Sequence, residues 1–260
     1  MANSITSYFY EGEMKNSVSL KNEDAVSFLV HDDSNIILDI DSFDKNNKVS
    51  VVIGNNSIVK IRLLILESLN SFEINANVPR GSSFELIIAD FSNEIGLFKS
   101  LINLEGENSE SSIHLATLSN KNNKKKFNLS FNHKVGKTKS LIDCHGVSKD
   151  SSLIKIDGIS HIYENANKAD ANQKVRVILF DKESEAIANP ILKIDCNDIK
   201  AQHACAIGSL REEHLYYLLS RGIEINEARS LITLGYLLPI AKYFDEKESE
   251  KIKEIIGGVF

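Results

Sequence analysis

Residues 140–166, SLIDCHGVSKDSSLIKIDGISHIYENA, hold two short β-branched runs separated by a polar turn. Leu141-Ile142-Asp143 is followed by Gly146, and Ile154-Lys155-Ile156-Asp157 by Gly158, so the glycines recur at a twelve-residue offset. The same texture extends from about residue 16 to 206, in VSFLV (26–30), NIILDI (35–40), KVSVVIG (48–54), SIVKIRLLIL (57–66), FELIIADF (84–91), SIHLATL (112–118), VRVILF (175–180) and ILKIDC (191–196). Lys126-Phe127-Asn128-Leu129-Ser130-Phe131 alternates with period two, the signature of a half-buried strand. Separators rich in Asn, Asp, Gly and Ser are turn chemistry. We count roughly a dozen strands on this pattern. Two architectures fit it: a β-sandwich or jelly roll, and a solenoid of stacked coils. Frequent turn asparagines (Asn46-Asn47, Asn55-Asn56, Asn122-Asn123), able to form ladders or take left-handed conformations, lean toward the solenoid without deciding it.

The period changes near residue 208. Ser209 and Glu212 have capping-box spacing, Leu215, Leu218 and Leu219 fall at helical intervals, and Arg221-Gly222 closes the helix. A second helix follows Asn226 and ends near Gly235, Pro239 marks a new start, and a charged helix is expected over about 245–256. The organisation is therefore a β body over 1–208 and a helical segment over 209–260.

With 260 residues, 42% of them hydrophobic and 25% charged, the chain can bury its own core, which excludes wholesale disorder. A net charge of −6 argues against a general nucleic-acid binder. No apolar stretch is long enough for a membrane span, the first residues do not read as a signal peptide, and three cysteines are too few for a disulfide framework. A cytoplasmic protein is expected. There is no GxxxxGK[ST], GxGxxG, HExxH, GxSxG or CxxC, so nucleotide binding by this chain and the common hydrolase and zinc classes are not expected.

The one ligand-like pair is His203 and Cys205. Two apart on a strand, they share a face, and imidazole and thiolate suit iron or zinc. Two ligands do not close a site, and the alternative is a hydrogen-bonded histidine beside a small core filler. Cys196 is expected in the core with Leu192 and Ile194, and Cys144 and His145 on opposite faces. The basic run KNNKKKF (121–127) reads as a solvated loop tip, and Asp32, Asp33, Asp39 and Asp41 as turn residues. Tyr216-Tyr217 beside Leu218-Leu219 is apolar on more than one helical side, which fits either burial against the β body or a partner surface.

The segment from about 168 to 236 resembles the SufB/SufD family of iron–sulfur cluster assembly proteins. The likeness rests on Pro190, Leu192, Ile194, Asp198, Ile199, Lys200, His203 and Gly208, then LYYLLSRGI (215–223), Glu227-Ala228, Gly235 and Tyr236. The lysine three residues before the histidine is closer to SufD than to SufB. The resemblance implies a right-handed parallel β-helix followed by a short helical segment, and a non-catalytic scaffold that pairs with a SufB-like or identical subunit. It also implies a SufC-like ATPase held by the helical segment, for which Tyr216, Tyr217, Arg221, Leu231 and Tyr236 are the candidate contacts. His203 corresponds to a family histidine near the subunit interface, implicated in handling iron or a transient iron–sulfur cluster. Cys205 has no family counterpart, and the family's amino-terminal helical region is not matched. The rival readings are a β-helix carbohydrate-active enzyme, which would cluster Asp, Arg and Lys on one face of successive coils, and a metal-free structural adaptor.

Overall fold

The computed structural model describes residues 5–210 and 212–259. Sixteen strands form two sheets of eight. One sheet, here sheet A, holds β1 (Ile5–Tyr10), β3 (Ala25–Val30), β5 (Asn46–Ile53), β7 (Leu69–Val78), β9 (Ile95–Leu104), β11 (Lys124–His133), β13 (Leu153–Ile162) and β15 (Glu185–Ile194), in that order. The other, sheet B, holds β2 (Glu13–Ser19), β4 (Asn35–Ser42), β6 (Ile58–Ile65), β8 (Ser83–Asp90), β10 (Glu110–Ser119), β12 (Lys139–Ser148), β14 (Asp170–Leu179) and β16 (Lys200–Ser209). Consecutive strands alternate between sheets and every pairing is parallel, so the chain is a parallel β-solenoid and the sandwich alternative is excluded. The coil lengthens along the chain, from 23 residues between Asp33 and Asn56 to 32 between Asp157 and Asn189.

The strands are more numerous than the pattern suggested. The additional ones include β2, β7 and β9, whose outward positions carry Asn, Ser, Lys and Glu that dilute the apolar signal. The repeat in residues 140–166 is half a coil: β12 and β13 lie in opposite sheets and face each other across the lumen. Left-handed residues recur at the turns, among them Asn22, Asn56 and Asn108, as turn asparagines allow. The asparagine ladder itself lies elsewhere, on the outer face of sheet A, where Asn103 donates to Asn77 and Asn132 to Asn103, both at 2.9 Å.

Alternation directs one side of every strand into the lumen. Phe72, Phe98 and Phe127 stack coil upon coil, the first two with rings 4.9 Å apart and nearly parallel. The basic run is the clearest correction. Lys125 is not in a solvated loop: it lies on β11 in phase with Phe127, Leu129 and Phe131, and is fully buried. Its Nζ lies 2.7 Å from Oδ2 of Asp90, which is equally buried, and Asp90 also accepts hydrogen bonds from Ser92 and Thr117. Asp39 and Asp41 likewise belong to β4, not to a turn.

Helix α1 spans Glu212–Ser220, α2 Ile225–Leu237 and α3 Glu246–Gly257, with a 3₁₀ segment over Leu238–Tyr243 that opens at Pro239. The expected capping box is not where the helix starts: Ser209 is the last residue of β16 and α1 begins at Glu212, while Arg211 between them lies outside the described residues. The end of α1 behaves as read from sequence: Gly222 has φ of +82°, and the N–H groups of Gly222 and Ile223 return to the carbonyls of Leu219 and Leu218. The latter half of the helical segment lies on the outer face of sheet B, where Leu237, Ile240, Ala241, Ile252 and Ile256 meet Leu64, Ile87, Ala116, Leu118 and Val147.

Candidate functional site at the open end of the solenoid

The terminal rung, β15 and β16, has no further strand over it among the described residues. In-register parallel pairing carries the inward face of one strand onto the next. On β14 that face is Ala171, Gln173, Val175 and Val177, all buried. On β16 it therefore becomes Ala201, His203, Cys205 and Ile207. His203 stands over Gln173, and Cys205 over Val175 and, one coil further, Cys144. What would be core side chains in an interior coil are exposed here: His203, Cys205 and Ile207 on β16, with Ile194 on β15. Pro190 lies on the last strand of its sheet, a position that tolerates a missing N–H.

The arrangement offers two donors of different softness, an imidazole and a thiol, on one face of an uncovered strand. Burial pushes the Cys205 thiol above its ordinary range, so nothing nearby prepares the thiolate. Among the described residues no group of three or more His, Cys, Asp or Glu is placed to hold a metal ion. The other cysteines stand apart from this pair. Cys144 is sealed in the lumen, its thiol pushed well up by burial, and His145 faces the opposite side as expected. Cys196 lies beyond the end of β15 and packs against a separate small cluster of Ile162, Ala166, Ala169 and Ala171, not against the main core.

The helical segment divides the five candidate partner residues. Tyr216 and Tyr217 on α1 are 74% and 57% exposed, so burial against the β body is not their fate. Arg221 lies over the Tyr217 ring, and Leu231 on α2 is exposed. Tyr236 is different: it is half-buried against the β body, its ring edge-on to His145 at 5.6 Å.

Sequence reasoning missed a polar cluster under that ring. On the outer face of sheet B, His114 lies 3.5 Å from Glu85 and 3.9 Å from Asp143, and Asp143 lies 3.4 Å from His145. Tyr243 stacks on His114, and the residues close a small cavity of about 40 Å³. His114 and His145 hold the Glu85 and Asp143 carboxyls below the usual range. The cluster forms across the neighbouring strands β8, β10 and β12 and is covered by Tyr236 and Tyr243 of the returning helical segment, contacts that single-strand patterns do not reveal. Beside it an open groove of about 900 Å³ runs over sheet B, lined by the Lys60–Glu85 and Lys139–Glu110 ion pairs and by Asp170 and Lys174.

A family model described as SUF system FeS cluster assembly, SufBD core domain, matches residues 14–236. The chain belongs to the SufBD family. Family members similar to it include the iron–sulfur cluster assembly protein SufD of Bacillus subtilis, 36% identical over 115 residues. That alignment covers 44% of this chain and 26% of the relative. SufBD family proteins of Staphylococcus saprophyticus and Staphylococcus aureus are each 27% identical over 124 residues, or 48% of this chain and 27% of theirs. Within the SufBD family the chain is SufD-like in its similarity, and it aligns with about a quarter of these relatives' length. No described helix is long and apolar enough to cross a membrane.

Proposed function

We propose that this chain is a non-catalytic scaffold subunit of a SUF-type complex. Its terminal rung pairs with a SufB-like or identical subunit, and α1 with the exposed side of α2 docks a SufC-like ATPase. His203 and Cys205 contribute ligands to iron or a nascent cluster, which is cargo and not a resident cofactor. The observation that carries this reading is the uncovered strand on which His203 and Cys205 share one face. Imidazole and thiolate suit iron, and a metal or a second chain's cation would supply the positive charge that ionises Cys205. Because one chain offers only two donors there, the remaining ligands come from the subunit that closes the rung. Exposure of Tyr216, Tyr217 and Leu231 supports a docking surface remote from the packed half of the helical segment.

The test is anaerobic reconstitution of the full chain with a SufB-like subunit, a SufC-like ATPase, iron and a sulfur donor. A His203→Ala, Cys205→Ala double variant should load markedly less cluster than wild type while still forming the complex. Equal loading would remove the ligand role.

A further inference from the structure

Gln173 is the residue directly below His203, and its side chain is under an unusual constraint. It is 1% exposed, in a lumen whose neighbouring positions are Ile142, Val175 and Ile156. Its Nε2 donates to Oγ of Ser160 at 2.8 Å and to the carbonyl oxygen of Ile191 at 3.2 Å. The second bond fixes the amide: a carbonyl only accepts, so turning Oε1 toward Ile191 would set two acceptors face to face. Oε1 is consequently held in one place, and there it finds no donor among the described residues.

A buried carbonyl without a donor is costly, and an apolar side chain of the same size would avoid the cost. The oxygen is shut off from solvent, and sheet A meets it with two residues that give it no bond. Gly158 faces it, where even a Cβ would come within 3.4 Å of Oε1. The residue above Gly158 is Pro190, which has no N–H to give. Sheet A therefore supplies no donor among the described residues, and the residue in register on the exposed rung above is His203, whose ring carries an N–H.

We propose that Gln173 is a positioning residue for His203: its Oε1 accepts the N–H of one ring nitrogen and leaves the other nitrogen free as a ligand. Histidines that bind metals characteristically donate their second ring nitrogen to an oxygen acceptor, which fixes the tautomer and the ring's direction. Here the acceptor is preset by the coil below, on a rigid sheet. The proposal rests on His203 being a ligand for its importance, but the hydrogen bond itself can be tested without metal.

Two readouts on the intact chain decide it. Ring ¹⁵N shifts of His203, recorded without metal at a pH where the ring is neutral, should report one dominant tautomer in wild type and a mixture in Gln173→Met. Anaerobic titration with cobalt(II), used as the probe for a ferrous ion, should show about tenfold weaker binding in the same variant, the size expected when a supporting acceptor is lost. Gln173→Leu provides a second apolar replacement if the methionine variant folds poorly. Unchanged His203 ring shifts in a folded variant overturn the proposal. If His203→Ala leaves cobalt binding intact, it is the ligand role of His203 that fails, while the ring shifts still judge the contact with Gln173.

Discussion

A lysine inside a β-solenoid must bring its counter-charge with it, and Lys125 does. Burial drives its pKa down, and Asp90, held in turn by Ser92 and Thr117, pulls it back up. The signal was present in the alternation Lys125, Phe127, Leu129, Phe131, but a run of basic residues is ordinarily solvated and the alternation was read one residue short. His133 shows a different solution to the same problem. Both ring nitrogens are bonded, to Thr138 and Ser140 at 2.8 Å, and burial pushes its pKa down from 6.5 to about 4. The unfolded chain therefore takes up a proton below pH 6.5 that the native state refuses until about pH 4, and stability falls as pH drops through that window. Between pH 7.5 and 4.5 this one group should cost about 2–3 kcal/mol. Denaturant melts of wild type and His133→Gln at both pH values measure it. A variant whose pH dependence equals that of wild type would show that His133 is not the source.

At the scale of elements, the helical segment has a fastened half and a free half. Arg62, only 6% exposed, bonds Asp39 on β4, the carbonyl of Tyr243 at 2.9 Å and Asp245 at 3.2 Å. Lys15 adds a second cation to Asp245. This clamp and the apolar contacts of α3 fix the carboxy-terminal half to sheet B, whereas no described residue of α1 belongs to that apolar cluster. Replacing Arg62 with Ala takes the donor from the Tyr243 carbonyl and leaves Asp39 and Asp245 to Lys15 alone, and should cost about 2 kcal/mol. Hydrogen exchange should then quicken over 238–257 before it changes in the solenoid. Uniform exchange across both regions would show that the clamp does not separate them. The helices and the closing Gly222 were legible because caps and 3.6-residue spacing are local. The clamp was not, since Arg62 and Asp245 lie far apart in sequence and nothing local marks either as a partner.

For the whole molecule, the solenoid ends abruptly. Its last rung exposes Ile194 and Ile207 inward of the wall and Ile187 and Ile191 outside it, beside the unpaired edges of β15 and β16. Open edges of this kind attract further strands unless something guards them. On the pairing proposed above, the chain alone should self-associate in solution, and Ile207→Lys, which sets a charge on the inward face, should shift it toward monomer in size-exclusion chromatography with light scattering. An identical monomeric mass for both proteins would count against pairing of identical subunits through this rung.

The sequence by itself determined that the body is built of strands, where it gives way to helices, and that His203 and Cys205 share a face, because alternation, caps and turn chemistry act over a few residues. The family resemblance in 168–236 added the solenoid, which the pattern alone had left beside a sandwich. Only the tertiary structure decided which strands stack in register, and hence that His203 stands over Gln173, that Lys125 meets Asp90, and that β16 is the last rung with its core-facing side open. Those facts depend on coil length and on contacts between residues 23 to 35 or more positions apart, distances over which no local pattern in a single sequence carries information.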